Sequence, residues 1–295
     1  MQPKLFTFYE IKIVMLPHPG AKEKILGILE SGGFKPEAIA FFEPPGKLEG
    51  AVYTPLLNTA KKIQHLYRKS RVQGMQFKIR KLEKEDWFDK WQLDYRMFPL
   101  GKKLMLVPAW QSNEFNKKSQ KRLPIYLDPK GVFGSGQHPA TQIMASWLEQ
   151  TAGKFKSVLD LGTGTGILAV GAALLGAEEI LAADHDPASI RSAKHNFKLN
   201  GLKNAKAVRA DVLKMKKSGT YDLVCANLFT NLLLKIKPLL FSSVKPGGYL
   251  ALCGVHVQNY PEFKKKFHHP KFRCVKIIQK RGWSGMLFRS TLKKR

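Results

Sequence analysis

The chain has 295 residues, 44% of them hydrophobic, with 50 Lys and Arg against 22 Asp and Glu for a formal net charge of +28. That much apolar material supports a packed core and excludes wholesale disorder, while no apolar run reaches the roughly 18–20 residues of a membrane-spanning helix. The basic excess fits either a nucleic-acid or ribosome partner, whose phosphates Lys and Arg neutralise, or a solvated Lys-rich surface. Met1-Gln2-Pro3-Lys4 leads into a strand pattern without the apolar stretch of a signal peptide, so a cytoplasmic protein is expected. Cys225, Cys253 and Cys274 lie far apart without metal-ligand spacing and read as buried thiols of a reducing compartment, with no metal expected.

In chain order, Leu5–Met15 reads as a strand and the run containing Ile25, Leu26 and Leu29 as a helix stopped at Ser31-Gly32-Gly33. Extended runs at Phe41-Phe42 and Gly50–Thr54, a helix over 55–69 and a strand over Met75–Lys81 complete a small α+β domain, residues 1–82, with the character of a recognition domain. Residues 83–125 connect. Their helix Glu83–Leu93 puts Trp87 and Trp91 on one face, a pattern that fits packing on a neighbouring domain, and Leu104–Pro108 is a strand before the basic loop Ser112–Arg122. From 126 to 295 strands alternate with helices. The strands are Val158–Leu161, Glu179–Ala183, Ala205–Arg209, Tyr221–Ala226 and Tyr249–Cys253. The helices are Ala140–Gln150, Ile167–Leu175, Pro187–Asn200 and Leu232–Val244. This repetition predicts an α/β fold with a doubly wound, mostly parallel sheet. Phe272–Gln279 and Trp283–Ser290, separated by Lys280-Arg281-Gly282, predict a C-terminal antiparallel hairpin.

The strongest chemical signal is Asp160-Leu-Gly-Thr-Gly-Thr-Gly166, placed where a strand gives way to a helix. Glycines there permit a tight turn and close approach of a ligand to the backbone. The spacing departs from the G-x-G-x-x-G of dinucleotide folds. It is that of Rossmann-like S-adenosylmethionine enzymes, whose cofactor has no pyrophosphate, and it makes Gly162, Gly164 and Gly166 cofactor-binding candidates. Asp184 follows the next strand, 22 residues after Gly162, where a carboxylate accepts hydrogen bonds from a ribose diol. Asp186 competes for that role. Asp211, after the third strand, faces the adenine amino group or else caps a helix.

Ala226-Asn227-Leu228-Phe229 ends the fourth strand. Amino-group methyltransferases often carry Asn/Asp-Pro-Pro-aromatic at this place, where the Asn oxygen orients the target nitrogen. Asn227 is thus the catalytic candidate, and Phe229 a substrate contact. The prolines are absent and the aromatic stands one position early, which favours an aliphatic amine over a flipped base. An RNA base methyltransferase is the alternative, supported by the charge. The segment Asp128-Pro-Lys-Gly-Val-Phe-Gly-Ser-Gly-Gln-His-Pro-Ala-Thr141 precedes the sheet and reads as a cover over a cofactor or as a structural loop with a helix start, with His138 a candidate substrate-side group.

Taken together, Phe133–Thr141, Val158–Gly166, Asp184-His-Asp-Pro187 and Ala226-Asn-Leu228 resemble the PrmA family of ribosomal-protein methyltransferases, over roughly residues 83–255. The resemblance implies a class I S-adenosylmethionine-dependent enzyme that methylates lysine ε-amines and an α-amine of a ribosomal protein, presented by a mobile N-terminal domain. It also implies cofactor contacts at Thr141, Gly162, Asp184 and Asn227. Ser135, Gln137 and Ala140 depart from the family's usual threonines, while Thr141 is retained. Contact with ribosomal RNA through the basic surface is a further expectation.

Overall fold

The computed structural model describes residues 8–34, 40–42, 46–54, 57–70, 72–82, 95–116, 121–129, 131–216 and 219–292. Its contacts divide the chain into two units, residues 1–95 and 96–295. In the first unit, β1 (Phe8–Met15), α1 (Ala21–Ser31), β2 (Ala40–Phe42), β3 (Leu48–Thr54), α2 (Leu57–Ser70) and β4 (Gln76–Leu82) follow in sequence. The strands form an antiparallel sheet in the order β2-β3-β1-β4. Alternation in β1 decides its faces. Ile11 and Ile13 are buried with Ile25, Leu29, Ala60 and Ile63 of the two helices, whereas Lys12 between them pairs with Glu49 at 3.1 Å. Gly50 lets α1 lie close on the sheet, because a side chain there would run into Ile25. The expected helix Glu83–Leu93, with Trp87 and Trp91, lies outside the described residues.

The second unit begins with β5 (Phe98–Pro99), β6 (Leu104–Pro108) and β7 (Leu123–Leu127), a three-stranded sheet of its own. Then follow α3 (Pro139–Thr151), β8 (Ser157–Leu161), α4 (Ile167–Leu174), β9 (Glu179–Asp184), α5 (Pro187–Leu199), β10 (Ala205–Arg209) and β11 (Tyr221–Asn227). The unit is completed by α6 (Thr230–Lys235), α7 (Lys237–Ser242), β12 (Val244–His256), α8 (Tyr260–Lys266), β13 (Phe272–Lys280) and β14 (Trp283–Ser290). The main sheet runs β10-β9-β8-β11-β12-β14-β13. Its first five strands are parallel, and β14 is antiparallel to both neighbours. Strand β8 is buried throughout, as a central parallel strand covered on both faces must be. The small sheet packs through β7 on α4 and α5. The order reverses between β8 and β11, so a crevice opens at the carboxyl ends of those two strands. This is the doubly wound architecture with a C-terminal hairpin that the sequence predicts.

Three sequence expectations are corrected. The single helix over Leu232–Val244 is two short helices that break at Ile236, because Pro238 has no N–H to continue the ladder and is tolerated only in the first turn of a new helix. Pro246-Gly247-Gly248 does not stop a helix but lies within β12. Cys274 is exposed, unlike Cys225 and Cys253, since it sits on the outermost strand, β13.

Candidate functional site

The glycine loop sits at the crevice. Gly162, Gly164 and Gly166 take φ of 74°, 54° and 81°, the left-handed region that a side chain disfavours. Space is closed there as well. A Cβ on Gly164 would run into the Phe133 carbonyl, one on Gly162 into the Leu228 side chain, and one on Gly166 would come within 2.7 Å of Phe197. The turn is anchored from β9, with the N–H groups of Gly162 and Thr163 donating to the Ala183 carbonyl at 2.8 and 3.1 Å.

Asp184 is buried at the tip of β9, and its two oxygens divide their work. Oδ2 accepts the Gly164 N–H and Oδ1 the Asp186 N–H, both at 3.0 Å. Oδ2 keeps a further lone pair for a ligand, while Oδ1 also lies 3.3 Å from His185 Nδ1. Asp186 is engaged elsewhere. It caps α5 by accepting from Ala188 and Ser189, contacts that hold its carboxyl below the usual range. Asp211 lies on the turn after β10, exposed, and accepts the Leu213 N–H at 3.0 Å. Next to it, the Ala210 N–H donates to the Asp184 carbonyl at 2.8 Å, which places this turn beside the loop.

The segment before the sheet does cover the glycine loop. The Phe133 carbonyl accepts the Thr165 N–H at 3.0 Å, and the Gly134 carbonyl accepts the Thr165 hydroxyl at 2.8 Å. His138 is the N-cap of α3, its Nδ1 accepting the Ala140 N–H at 3.2 Å. Its ring meets the edges of Phe133 and Trp283 at centroid distances of 5.5 and 4.9 Å, and burial lowers its pKa, which favours the neutral ring. Thr141 follows in the first turn of α3. It is 1% exposed, and its hydroxyl has no hydrogen-bond partner.

Two contributors escaped the sequence reading. Asp160, buried in β8, accepts the Thr163 hydroxyl on Oδ2 at 2.7 Å, while its Oδ1 is buried without a partner. Burial, with the Asp184 charge adding to it against the Thr163 bond, pushes its pKa up to about 7. The only hint in the sequence was a carboxylate inside an apolar strand. Asn196 in α5 is fully buried and ties the cover to the loop: its Nδ2 donates to the carbonyls of Thr165 and Asp128 at 2.8 and 3.2 Å, and its Oδ1 accepts the Asp128 N–H at 2.9 Å.

Asn227 ends β11 opposite Cys253 of β12, half-buried. Leu228 then turns over Gly162, so the end of β11 abuts the glycine loop. Phe229 is 72% exposed and lines a cleft of about 400 Å³ together with Gly254, His256, Glu262 and Trp283. The structure thus gathers Gly162, Gly164, Gly166 and Asp184 with the cover that carries His138 and Thr141, sets Asp211 on the adjoining turn, and leaves Phe229 at the outer rim.

A family model described as ribosomal protein L11 methyltransferase (PrmA) matches residues 48–291. A ribosomal protein L11 methyltransferase of Bacillus subtilis is 31% identical over 209 residues, 71% of this chain and 67% of the relative. Another, from Paraburkholderia phymatum, is 37% identical over 179 residues, 61% of this chain and 57% of its own length. The chain therefore spans little more than half of that relative and about two thirds of the Bacillus one. The crystal structure of a ribosomal protein L11 methylase from Lactobacillus delbrueckii subsp. bulgaricus is similar with a TM-score of 0.61 and 28% identity, covering 68% of this chain and all of that one.

Proposed function

The chain belongs to the ribosomal protein L11 methyltransferase (PrmA) family, and from that premise we propose that it uses S-adenosylmethionine to methylate lysine ε-amines, an N-terminal α-amine, or both, on a ribosomal protein. The observation that carries the cofactor reading is the buried Thr141 hydroxyl with no partner, in the first turn of a helix whose preceding segment bonds the glycine loop. Buried hydroxyls are normally satisfied, and a ligand polar group would complete this one. Asp184 would accept from the ribose diol, and Asp160, buried at the loop with one oxygen unpartnered and its pKa raised, would be stabilised in its charged form by a ligand cation. Gly162, Gly164, Gly166, Asp184 and Thr141 would hold the cofactor, with Asp211 on its adenine side and Asn227 at the methyl end.

Bound there, S-adenosylmethionine supplies a methyl on a positively charged sulfur, already a good leaving group. The protein's part is alignment and exclusion of water, which in well-oriented reactions contribute on the order of 7–11 kcal/mol. A free lysine amine has a pKa near ~10.4, and only its neutral form has the lone pair, so a desolvated acceptor position favours the reactive state. Asn227, held at the strand end against the loop, accepts a hydrogen bond from the amine and aims it. Phe229 and His138 flank the acceptor side chain, and solvent takes the proton. Residues 1–82 present the substrate, and the unit from residue 96 onward, whose small sheet packs on α4 and α5, carries the chemistry. No helix among the described residues is long and apolar enough to cross a membrane.

The test is transfer of labelled methyl to purified large-subunit proteins with and without ribonuclease. Label removed by protease and resistant to ribonuclease supports the protein acceptor, and label removed by ribonuclease overturns it in favour of an RNA base. Asn227→Ala is expected to bind cofactor and lose turnover; full turnover would refute its role.

A further inference from the structure

A second concave surface lies at the far end of the catalytic sheet. Tyr249 of β12, Arg289 of β14 and Arg273 of β13 are consecutive cross-strand partners there. With Lys154, from the connection between α3 and β8, they line an open cleft of about 960 Å³ whose lining, among the described residues, includes no carboxylate. Lys154 and Arg289 lie 5.9 and 5.6 Å from the centre of the Tyr249 ring. Tyr249 stands four residues before Cys253, which is level with Asn227, so the cleft is about 13 Å along the strands from the methyl-transfer end.

Like charges placed opposite one another across strands repel. Here Arg273 faces Arg289, and Lys154 shares the Tyr249 ring with Arg289. The surroundings deepen the imbalance. After Glu262 the sequence holds no acidic residue to Arg295 and twelve Lys or Arg. Arg273, Lys276 and Lys280 are exposed along β13, the edge strand, over about 23 Å. We propose that this cleft and the β13 edge bind the phosphate backbone of an RNA. Arginine forks match phosphate oxygens. Tyr249 is buried under its cations and has no free face for a base, so the contact is with phosphates and independent of sequence. The inference goes beyond the methylation reading, because it concerns residues remote from the site of chemistry. The rival view is that β13 carries cations only to keep an edge strand from pairing.

The experiment is fluorescence anisotropy of a labelled RNA hairpin titrated with the full-length protein over a range of salt. Neutralising two phosphate contacts in Arg273→Gln/Arg289→Gln should reduce the salt slope by about 1.4–1.8, so between about 50 and 200 mM salt the native protein should weaken ~7–12-fold more than the variant. Lys203→Gln/Lys206→Gln, the same charge change beside and on β10 at the opposite edge, should leave the slope near native. Equal losses in both pairs, no binding by the native protein, or equal displacement of the RNA by polyglutamate of matched charge would each overturn the proposal. Should the double Gln variant melt early, Lys154→Gln in its exposed connection carries the test with a slope loss of about 1, and Arg273→Lys/Arg289→Lys, which keeps both charges but not the forks, should retain the native salt slope.

Discussion

Replacing Thr141 by valine separates a cofactor-contact role from a merely structural one, because the two roles predict opposite signs. The hydroxyl is buried to 1% exposure and unpartnered. An unsatisfied buried polar group costs the fold about 1–3 kcal/mol. Valine keeps the branched shape and removes that cost, so the protein without cofactor should become more stable. Taking the lower figure, the gain of about 1 kcal/mol corresponds to a rise of about 2–4 °C in Tm for a unit of this size. With cofactor the sign reverses. A ligand polar group facing a methyl is left buried without a partner, at about 1–2 kcal/mol, or a 5- to 30-fold weaker Kd. Differential scanning fluorimetry with and without S-adenosylmethionine, together with calorimetric titration, reads both effects. A variant that melts lower without cofactor, or binds it as tightly as the native protein, would show that the hydroxyl has no ligand to satisfy and would remove the main support for the cofactor assignment.

Other expectations follow from the same geometry. Asp184→Asn replaces the charged acceptor proposed for the cofactor's ribose by a neutral amide and should weaken cofactor binding about 10- to 150-fold, since a hydrogen bond to a charged group is worth about 1.5–3 kcal/mol; an unchanged titration would contradict it. Gly164→Ala should lower Tm and abolish saturable binding, because the new methyl runs into the Phe133 carbonyl at a φ of 54°; retained binding would mean that the cover is free to move away. Asp160 has the opposite sign from most carboxylates. Its folded pKa, about 7 against an ordinary 3.8, means the folded protein holds the proton more tightly, so it adds no cost below pH 3.8 and its cost grows as pH rises from 3.8 to about 7. The full penalty above that pH is about 4 kcal/mol. Asp160→Asn should therefore flatten the stability profile of the cofactor-free protein across that window, and a profile of unchanged slope would show that the buried carboxyl is compensated.

The backbone geometry of the loop was legible because it is written locally. Three glycines in a strand-to-helix turn and an acid at the end of the next strand each follow from the residue's own backbone demands. What was not legible is written across the fold. Asn196 is one polar position on an amphipathic helix, and nothing along the chain shows that its amide spans the loop at Thr165 and the cover at Asp128. The break at Ile236 was hidden for a different reason. The apolar spacing from Leu232 to Val244 continues in phase through Pro238, so periodicity alone joins two helices that the missing N–H separates. Strand β7 escaped because Pro124 sits inside a five-residue run, a place proline occupies only where its neighbour does not need its N–H. Cys274 was misjudged since composition says nothing about which strand is outermost.

The segment Phe133–Thr141 admitted two readings, a cover over the cofactor or a loop that starts a helix, and the structure joins them in a definite way. The stretch is pinned at both ends. Phe133 and Gly134 bond Thr165 of the glycine loop, and His138 caps the helix that holds Thr141. Gly134 leaves no slack, since a Cβ there would stand 2.6 Å from the Thr165 hydroxyl. Between the anchors, Gln137 and the Phe133 side chain remain exposed. A cover held in this way lets the glycine loop, through Thr165, set the position of Thr141. Asn196, which grips both the loop at Thr165 and Asp128, adds a second tie between the loop and the segment that leads to α3.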